Sequence, residues 1–468
     1  MLPAGVLYSS IPGNIAGDAA GARPSEGGPL IENRQFRLKK FDVIGSQSIA
    51  EIVEQMIGRE AEALRWYISE VTDKEIVVEA TFAELEDERE SESAAGSLSE
   101  RAHYPGKAVA VSVIPTGIGC DLGGYAGDAA PATNLLAAAT DYLVTNPNAV
   151  NASNFISMAD NVLYSEGMSI DLLMKGAVDF HVPYGNRIGL VVEHTTPEAL
   201  DVVFNVVNTV RAVFGIDIVD VEVTEQPIGT HSFENDSGAY VGTVDRPAVL
   251  FAACERLIKK GANAIAITTN IQDLPEDNYV KHFAGEYPNP LGGVEAIVSH
   301  LVVRRFRMPA AHAPMLNSKE FDLREAIVDA RGAGEMASAS GLACTLIGLK
   351  RAPQIGGGHH YRTADLVNVH NVFAVVCPAS SLGGIPAIYA HRHGVPILAV
   401  RENKTIFGVS AERLGFHNVI EVDNYAEAAG YLLALRKGIG LDTFRRPMTT
   451  MRHGQGAGAK AEKHLRFA

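Results

Sequence analysis

The chain has 468 residues, of which 47% are hydrophobic and 20% are charged, which is typical of a globular protein with about two to four domains. Its formal net charge of −15 argues against a nucleic-acid partner, because a basic face is needed to neutralise phosphates. No apolar run reaches the roughly 18 residues that cross a bilayer, and the N-terminus lacks the pattern of a secretory signal. We therefore predict a cytoplasmic protein with no membrane partner and reduced cysteines.

The N-terminal 104 residues are predicted to form an irregular arm and a small α+β unit. Strands are expected over 36–44 and 75–82, with a helix over 48–68 between them. The helix prediction rests on Ile49, Ile52, Val53 and Met56, which recur at helical spacing. The acidic stretch 84–100 is interpreted as a solvated insertion that closes the unit.

From residue 107 the pattern becomes an alternation of apolar strands and helices. Predicted strands cover 108–114, 142–145, 187–194, 216–223, 262–268, 372–376 and 395–400. Predicted helices cover 128–140, 165–175, 197–214, 246–260, 293–305, 385–393 and 424–437, with one or two more inside 325–349. Because the strands are apolar throughout, we predict an α/β fold with largely parallel sheets in two Rossmann-like lobes. The lobes are assigned to 105–235 and 236–440, followed by a basic tail over 441–468.

The tripeptide Leu-Gly-Gly occurs three times, at 122–124, 291–293 and 382–384, each time after a predicted strand and before a predicted helix. A glycine turn lets backbone N–H groups approach a ligand, and a helix start carries partial positive charge. Ligands of open α/β sheets bind at the carboxyl ends of the strands. The pattern predicts a pocket for a small anionic molecule.

The first of these loops, 114–128, holds five glycines in fifteen residues. Its candidate substrate-binding residues are Thr116, Gly123, Gly124 and Tyr125, and its candidate catalytic residues are Asp121 and Cys120. Cys120 is either a nucleophile or a residue chosen for its small size, and Asp128 is either a ligand contact or a helix N-cap. A dinucleotide loop is disfavoured, because Leu122 stands where the motif needs glycine or alanine. The chain also lacks the GxxxxGK[ST] motif.

The string IPTGIGCDLGGYAGDAAP, with NPNAVN and NVLYSEG downstream, resembles a family of unknown function found mainly in cyanobacteria and plants. The resemblance runs from about Pro105 to Lys437. It implies a shared fold but supplies no reaction. It also implies a small non-thiol residue at the position of Cys120, which weakens the nucleophile hypothesis.

Three further clusters supply candidates. Asn270 follows an apolar strand, and Glu295 lies near a helix start with Ser299 and His300 beyond it; Glu295 is either a general acid/base or a helix stabiliser. Arg331 precedes a Gly-rich helix start and is either a carboxylate clamp or part of tight packing. The last cluster is predicted to bind an anion, with positive charge from Arg401 and Lys404, and comprises Ser380, Ser381, Gly383, Gly384, Arg401 and Lys404.

These patterns predict an enzyme that acts on a small carboxylate- or phosphate-bearing metabolite in a cleft between the lobes, by hydrolase, lyase or isomerase chemistry. The alternatives are a non-catalytic metabolite sensor using the same cleft and a structural subunit of an assembly. No cofactor is predicted, and a homo-oligomer is left open. A metal is a minor alternative, with His359, His360 and His370 as its candidate ligands, because no HExxH pattern is present.

Overall fold

A computed structural model describes residues 31–39, 49–58, 63–83, 107–147, 150–152, 155–272, 276–315, 327–338, 340–356, 366–443, 446–448 and 450. The strands are β1 (Ile31–Lys39), β2 (Ala63–Val71), β3 (Glu75–Ala83), β4 (Val109–Ser112), β5 (Tyr142–Thr145), β6 (Asn151–Ala152), β7 (Phe155–Ile156), β8 (Val162–Tyr164), β9 (Asp179–His181), β10 (Arg187–Val192), β11 (Asp217–Val223), β12 (Thr230–Glu234), β13 (Tyr240–Val244), β14 (Ala264–Thr269), β15 (Ile271–Gln272), β16 (Ala310–Pro314), β17 (Gln354–Gly356), β18 (Leu366–Val367), β19 (Val372–Pro378), β20 (Ile397–Val400) and β21 (Val419–Val422).

The helices are α1 (Ile49–Ile57), α2 (Ala130–Ala138), α3 (Gly167–Lys175), α4 (Pro197–Phe214), α5 (Pro247–Lys259), α6 (Glu276–Phe283), α7 (Gly292–Phe306), α8 (Ala333–Ala337), α9 (Leu342–Leu349), α10 (Ile385–Arg392), α11 (Ala411–Leu414) and α12 (Tyr425–Arg436). Short 3₁₀ turns cover Val369–Asn371 and Leu441–Thr443. Within the described ranges, no helix is long and apolar enough to cross a membrane.

The N-terminal unit is an antiparallel sheet in the order β1-β3-β2 with helix α1. The predicted helix over 48–68 is wrong in its second half, because α1 ends at Ile57 and β2 begins at Ala63. Leu64, Trp66 and Ile68 alternate inward along β2, which is the period of a strand. Pairing with β3 therefore decides the structure of this segment.

The larger of the two main sheets has six parallel strands in the order β21-β20-β19-β4-β5-β8. Strands β4, β5 and β8 precede residue 235, whereas β19, β20 and β21 follow it. The predicted boundary at 235 therefore does not separate the two sheets. The reason is the long-range pairing of β4 with β19, which joins segments more than 250 residues apart.

The second main sheet has four parallel strands in the order β11-β10-β14-β16. Together the two sheets confirm the predicted α/β fold with two Rossmann-like lobes and largely parallel sheets. Two small three-stranded sheets, β13-β12-β15 and β17-β9-β18, were not predicted from the sequence. They are short and partly antiparallel, so they lack the apolar runs that identify the main strands.

The second Leu-Gly-Gly segment lies against the start of the loop after β4 and against Tyr240 of β13. A Cβ on Gly292 would lie 2.2 Å from Cγ2 of Thr116, and a Cβ on Gly293 would lie 1.9 Å from the carbonyl oxygen of Tyr240. Gly117, with a φ of +77°, completes the contact. These glycines therefore permit a close backbone approach between α7 and the loop after β4.

Two buried asparagines hold the Gly-rich loop in place. Asn146 accepts a hydrogen bond from the N–H of Ile114 (2.9 Å) and donates to its carbonyl oxygen (2.8 Å). Asn403 does the same with Leu122, at 3.0 and 2.8 Å, and also donates to the hydroxyl of Tyr425. The loop after β4 is thus fixed from β5 on one side and from the segment after β20 on the other.

Candidate functional site

A cavity of about 160 Å³ lies where the two main sheets meet. Its walls include the residues just past β4, β5 and β8, the end of β16, and one face of α7. The carboxyl ends of parallel strands are the usual ligand site of this fold class. The cavity therefore occupies the inter-lobe position that the sequence analysis expects for a ligand.

Helix α7 contributes a polar stripe to the cavity wall. Gly292, Glu295, Ala296, Ser299 and His300 all line it. Their spacing of three or four residues places them on one face of the helix. The helix is otherwise rich in buried apolar residues, so a face with a carboxylate, a hydroxyl and an imidazole marks a polar cavity wall.

The central feature of this wall is a buried pair formed by His300 and Glu166. Nδ1 of His300 lies 2.5 Å from Oε2 of Glu166, and the two side chains are 2% and 3% exposed. The N–H groups of Met168 and Ser169 also donate to Glu166. Burial alone would raise the pKa of Glu166, but the attraction of His300 and these hydrogen bonds outweigh it and hold the pKa below its usual value.

The other ring nitrogen of His300, Nε2, is buried and has no hydrogen-bond partner in the described part of the chain. His300 lines the main cavity and also a smaller cavity next to it. A carboxylate at Nδ1 fixes the orientation and tautomer of an imidazole and leaves Nε2 as its reactive atom. A buried polar atom facing a cavity without a partner is a candidate for contact with a ligand.

A second His–Glu pair lines the same cavity. Nδ1 of His312, in the middle of β16, is 3.4 Å from Oε2 of Glu295, and its Nε2 is 2.9 Å from the hydroxyl of Thr269.

A further carboxyl of the cavity wall belongs to Glu335. Burial raises its pKa to about 7, and repulsion from Glu295 and Asp128 acts in the same direction. The N–H of Ala126 donates to Glu335 and opposes this shift in part.

The basic group of the cavity comes from the N-terminal unit. Nε of Arg65, on β2, lies 3.2 Å from Oδ2 of Asp171 on α3. Burial raises the pKa of Asp171, and the charge of Arg65 opposes that rise. Arg65 borders both cavities, so this ion pair closes the site on the side of the N-terminal sheet.

Four of the predicted site residues line one of these cavities. Thr116 borders both, and Glu295 lies in the main cavity beside His312. Ser381 and Gly384 line the smaller cavity. The second Leu-Gly-Gly segment thus carries the helix with the richest set of polar groups at the site.

The predicted residues of the first glycine loop line neither cavity. Gly123, with a φ of +89°, donates its N–H to Asp128 (2.8 Å), as does Tyr125 (3.2 Å). Asp128 therefore closes the loop and is not the helix N-cap, which is Ala129. A Cβ on Gly124 would lie 2.5 Å from the carbonyl oxygen of Cys120, so this glycine serves tight packing.

Three further polar residues of that region have structural partners. The thiol of Cys120 is buried and donates to the carbonyl oxygen of Pro115, and burial raises its pKa far above the ordinary value, against a thiolate nucleophile. The hydroxyl of Tyr125 donates to the carbonyl oxygen of His282. The side chain of Asp121 is exposed and lies 3.9 Å from Arg331.

The predicted cations also lie outside both cavities. Arg331 forms hydrogen bonds with Asp329 and stacks over the ring of Tyr125. Arg401 is exposed and pairs with Asp423, while Lys404 is exposed. The anion site predicted around Arg401 and Lys404 is therefore not part of the cavity wall, because the segment after β20 turns toward the Gly-rich loop instead.

The remaining predicted contacts support the backbone. Asn270 donates its N–H to Glu193 (2.5 Å) and its carbonyl oxygen accepts from Thr230. The hydroxyl of Ser380 lies 3.0 Å from that of Thr405. Gly383 lets β2 approach, since its carbonyl oxygen accepts the N–H of Ile68 and a Cβ there would lie 2.2 Å from the Ile68 oxygen.

Among the described residues, no group of three His, Cys, Asp or Glu side chains is placed to hold a metal ion. Of the candidate ligands, His370 is exposed in the 3₁₀ turn before β19. His359 and His360 lie outside the described residues.

Sequence reasoning did not select Glu166, His312 or Arg65, and named His300 only as a neighbour of Glu295. Two signals pointed toward the site. His312 is the single polar residue in an apolar strand, and Ser299 and His300 continue the face of Glu295 along a predicted helix. Arg65 had no such signal, because its segment was assigned to a helix.

Residues 109–445 match a family described as a protein of unknown function, DUF3326. The chain belongs to the DUF3326 family. It is 34% identical, over 331 residues, to an uncharacterized lipoprotein of Synechococcus, a match that covers 70% of this chain and 91% of that protein. No solved structure matches the chain. The family match includes Glu166, His300 and His312 but begins after Arg65. The wall of the main cavity therefore contains Arg65, a residue from outside the matched region.

Proposed function

We propose that the protein is an enzyme that moves protons on a small metabolite bound in the inter-lobe cavity, with His300 as its principal general base or acid. The observation that carries the proposal is the buried Nε2 of the cavity-lining residue His300, which has no hydrogen-bond partner among the described residues while Glu166 holds Nδ1. An imidazole held in this way has a fixed orientation and one ring nitrogen left for proton transfer.

A second proton carrier in the same cavity supports this proposal. Glu335 has a pKa of about 7, so it exists in both protonation states at neutral pH. Glu295 and His312 form a further acid–base pair beside it. A reaction that removes a proton at one carbon and adds one elsewhere can use two such groups in one cavity.

Lyase or isomerase chemistry fits this arrangement better than hydrolysis through a covalent intermediate. Nucleophilic catalysis by a hydroxyl or thiol requires that group within hydrogen-bond reach of its base. Within the described residues, Nε2 of His300 has no such partner; Cys120 lies outside the cavity lining, and Cys344, which does line the cavity, is not hydrogen-bonded to that nitrogen.

Solvent exchange tests the proposal with no substrate chosen in advance. The protein is incubated in D₂O with pools of small metabolites, and deuterium incorporation at carbon is measured by mass spectrometry. We expect the native protein to label at least one compound. His300→Asn, which keeps a donor near the position of Nδ1 and removes Nε2, should slow labelling by about 10²- to 10⁴-fold.

His194→Asn is the matched control, because His194 is exposed and only its backbone N–H has a hydrogen bond to Thr224. This variant should label at the native rate, and thermal unfolding should show that both variants are folded. Retention of the native rate by His300→Asn would contradict the proposal. Ligand-induced thermal stabilisation with no labelling in any pool would favour the non-catalytic sensor.

A further inference from the structure

We propose that Arg65 is a specificity-determining residue that binds a carboxylate group of the ligand through its two terminal nitrogens. The inference rests on the proposed function for the location of the reacting atom, but it assigns the chemical class of the ligand independently. It also gives the N-terminal unit, which lies outside the residues matched by the family, a direct part in ligand selection.

The guanidinium of Arg65 is anchored on one side and open on the other. Its Nε faces Asp171 at 3.2 Å, and its side chain keeps 29% of its exposure. The printed contact with Asp171 is made through Nε, so Nη1 and Nη2 lie outside that contact. Arg65 lines both cavities, which places its guanidinium at their common wall.

Gly167 places the guanidinium beside the imidazole of His300. A Cβ at this position would lie 3.2 Å from Nη1 of Arg65 and 3.2 Å from Cε1 of His300. The two groups therefore lie within about twice that distance of each other. A ligand anchored at Arg65 would present its neighbouring atoms to Nε2 of His300.

The charge of the cavity favours a carboxylate over a phosphate. Four carboxyl groups line the main cavity, whereas Arg65 is the only arginine or lysine among its described lining residues; the carboxyls belong to Glu166, Asp171, Glu295 and Glu335. A phosphate dianion would add to this negative charge with a single cation to bind it. A monoanionic carboxylate needs one guanidinium fork, which it matches in a planar, bidentate geometry.

The position of Arg65 is fixed by the main lobe. The N–H of Ile68 donates to the carbonyl oxygen of Gly383 at 2.9 Å, and Tyr67 pairs with Gly384 in an antiparallel bridge. Strand β2 is thereby attached to the loop before α10, two to three residues from Arg65. This attachment fixes the backbone that carries Arg65, and the contact of Nε with Asp171 orients its side chain.

The test compares small carboxylic acids with their primary amides as probes. Acetate, propionate and benzoate are each titrated against the full chain beside acetamide, propionamide and benzamide, with inorganic phosphate as a further probe, and binding is followed by ligand-observed NMR. We expect at least one acid to bind about tenfold or more tightly than its amide, and more tightly than phosphate. Arg65→Gln should remove this preference.

Arg65→Lys should retain part of the preference, because it keeps the charge and loses the fork. Arg37→Gln is the matched control, since Arg37 is exposed in the same sheet and pairs with Glu75. The inference would be overturned if acid and amide bound equally, or if the preference for the acid survived Arg65→Gln. It would also be overturned if phosphate bound more tightly than every acid, or if no acid bound at millimolar concentration.

The same titration in His300→Asn separates the two proposals. If His300 only transfers protons, the acid preference should persist in this variant while solvent exchange is lost. If Arg65→Gln loses the acid preference and His300→Asn keeps the native exchange rate, the ligand class is supported and the proposed catalytic role of His300 is contradicted. If Arg65→Gln keeps the acid preference and His300→Asn loses exchange, only the proposed role of Arg65 is contradicted.

Discussion

Oε2 of Glu166 and Nδ1 of His300 lie 2.5 Å apart and connect the two lobes across the cavity. Glu166 follows β8, the edge strand of the six-stranded sheet, and caps α3 by accepting from Ser169 and Met168. His300 lies on α7, which packs against β16 of the four-stranded sheet. One carboxylate therefore stabilises a helix start, orients an imidazole and joins the lobes.

Glu166→Ala should lower the free energy of unfolding by about 3–5 kcal/mol, because it leaves a buried imidazole without its partner and removes a helix cap. Thr196→Ala is the control, since Thr196 caps α4 by accepting from Ala199 at an exposed helix start. Its loss should be about 0.5–2 kcal/mol. Urea denaturation measures both, and equal losses would mean that the pair with His300 adds no stability.

Glu335→Gln should change how stability depends on pH. Burial raises the pKa of Glu335 from 4.5 to about 7, so the folded state holds this proton more tightly than the unfolded chain. The stability that it contributes is fully present below pH 4.5 and is lost as the pH rises through about 7. The Gln variant, which resembles the protonated form, should therefore gain stability relative to the native protein across this range.

The quantity to measure is the difference in unfolding free energy between the variant and the native protein at each pH. Other buried groups titrate nearby, because burial raises the pKa of Asp128 to about 6 and lowers that of His282 to about 4. Subtraction removes their common contribution. For the control Glu255→Gln, at an exposed position on α5, this difference in unfolding free energy should not change with pH. If it does not change with pH for Glu335→Gln either, the raised pKa of Glu335 is contradicted.

Gly293→Ala should lower the free energy of unfolding by about 1–3 kcal/mol or more, because the new methyl group would lie 1.9 Å from the carbonyl oxygen of Tyr240. Gly430→Ala, inside α12, meets nothing within 4 Å and should raise stability by up to about 1 kcal/mol. Thermal or chemical denaturation should thus show that the same Gly→Ala substitution lowers the free energy of unfolding at residue 293 and raises it at residue 430. A gain at Gly293 would show that the close contact between α7 and Tyr240 of β13 is absent.

Cys120 should resist thiol reagents in the folded protein. Burial raises its pKa, and its thiol donates to the carbonyl oxygen of Pro115. Cys254, Cys344 and Cys377 are also buried, so native protein should consume almost no reagent near neutral pH, whereas protein in denaturant should react at all four. Asn205→Cys, at an exposed position on α4, should react at once and serves as the control. Rapid labelling of native Cys120 would revive the nucleophile hypothesis.

Most of the main helices and strands could be read from the sequence because their signals are local, whereas β8, β16 and β21 of the two main sheets were not predicted. The predicted bounds of α4 are those observed, since Thr196, Pro197 and Gly215 mark its ends by themselves. The predicted bounds of β5 are also those observed. The segment of β2 was misread, because its identity depends on pairing with β3 and not on its own periodicity.

The residues of the candidate site were likewise partly predictable from local sequence and partly dependent on tertiary structure. The sequence by itself placed Thr116 and Glu295 after a strand and at a helix start, which is enough to bring them to the carboxyl edge of a sheet. Only the tertiary structure decided which loops meet there. The pairing of β4 with β19 set the strand order of the larger sheet. The segment after β20 turns toward the Gly-rich loop and leaves Arg401 and Lys404 outside the cavities, and long-range packing brings Glu166, His300 and Arg65 together from three distant segments. Local periodicity encodes an element and its buried face, whereas the neighbours of that face are selected by long-range packing.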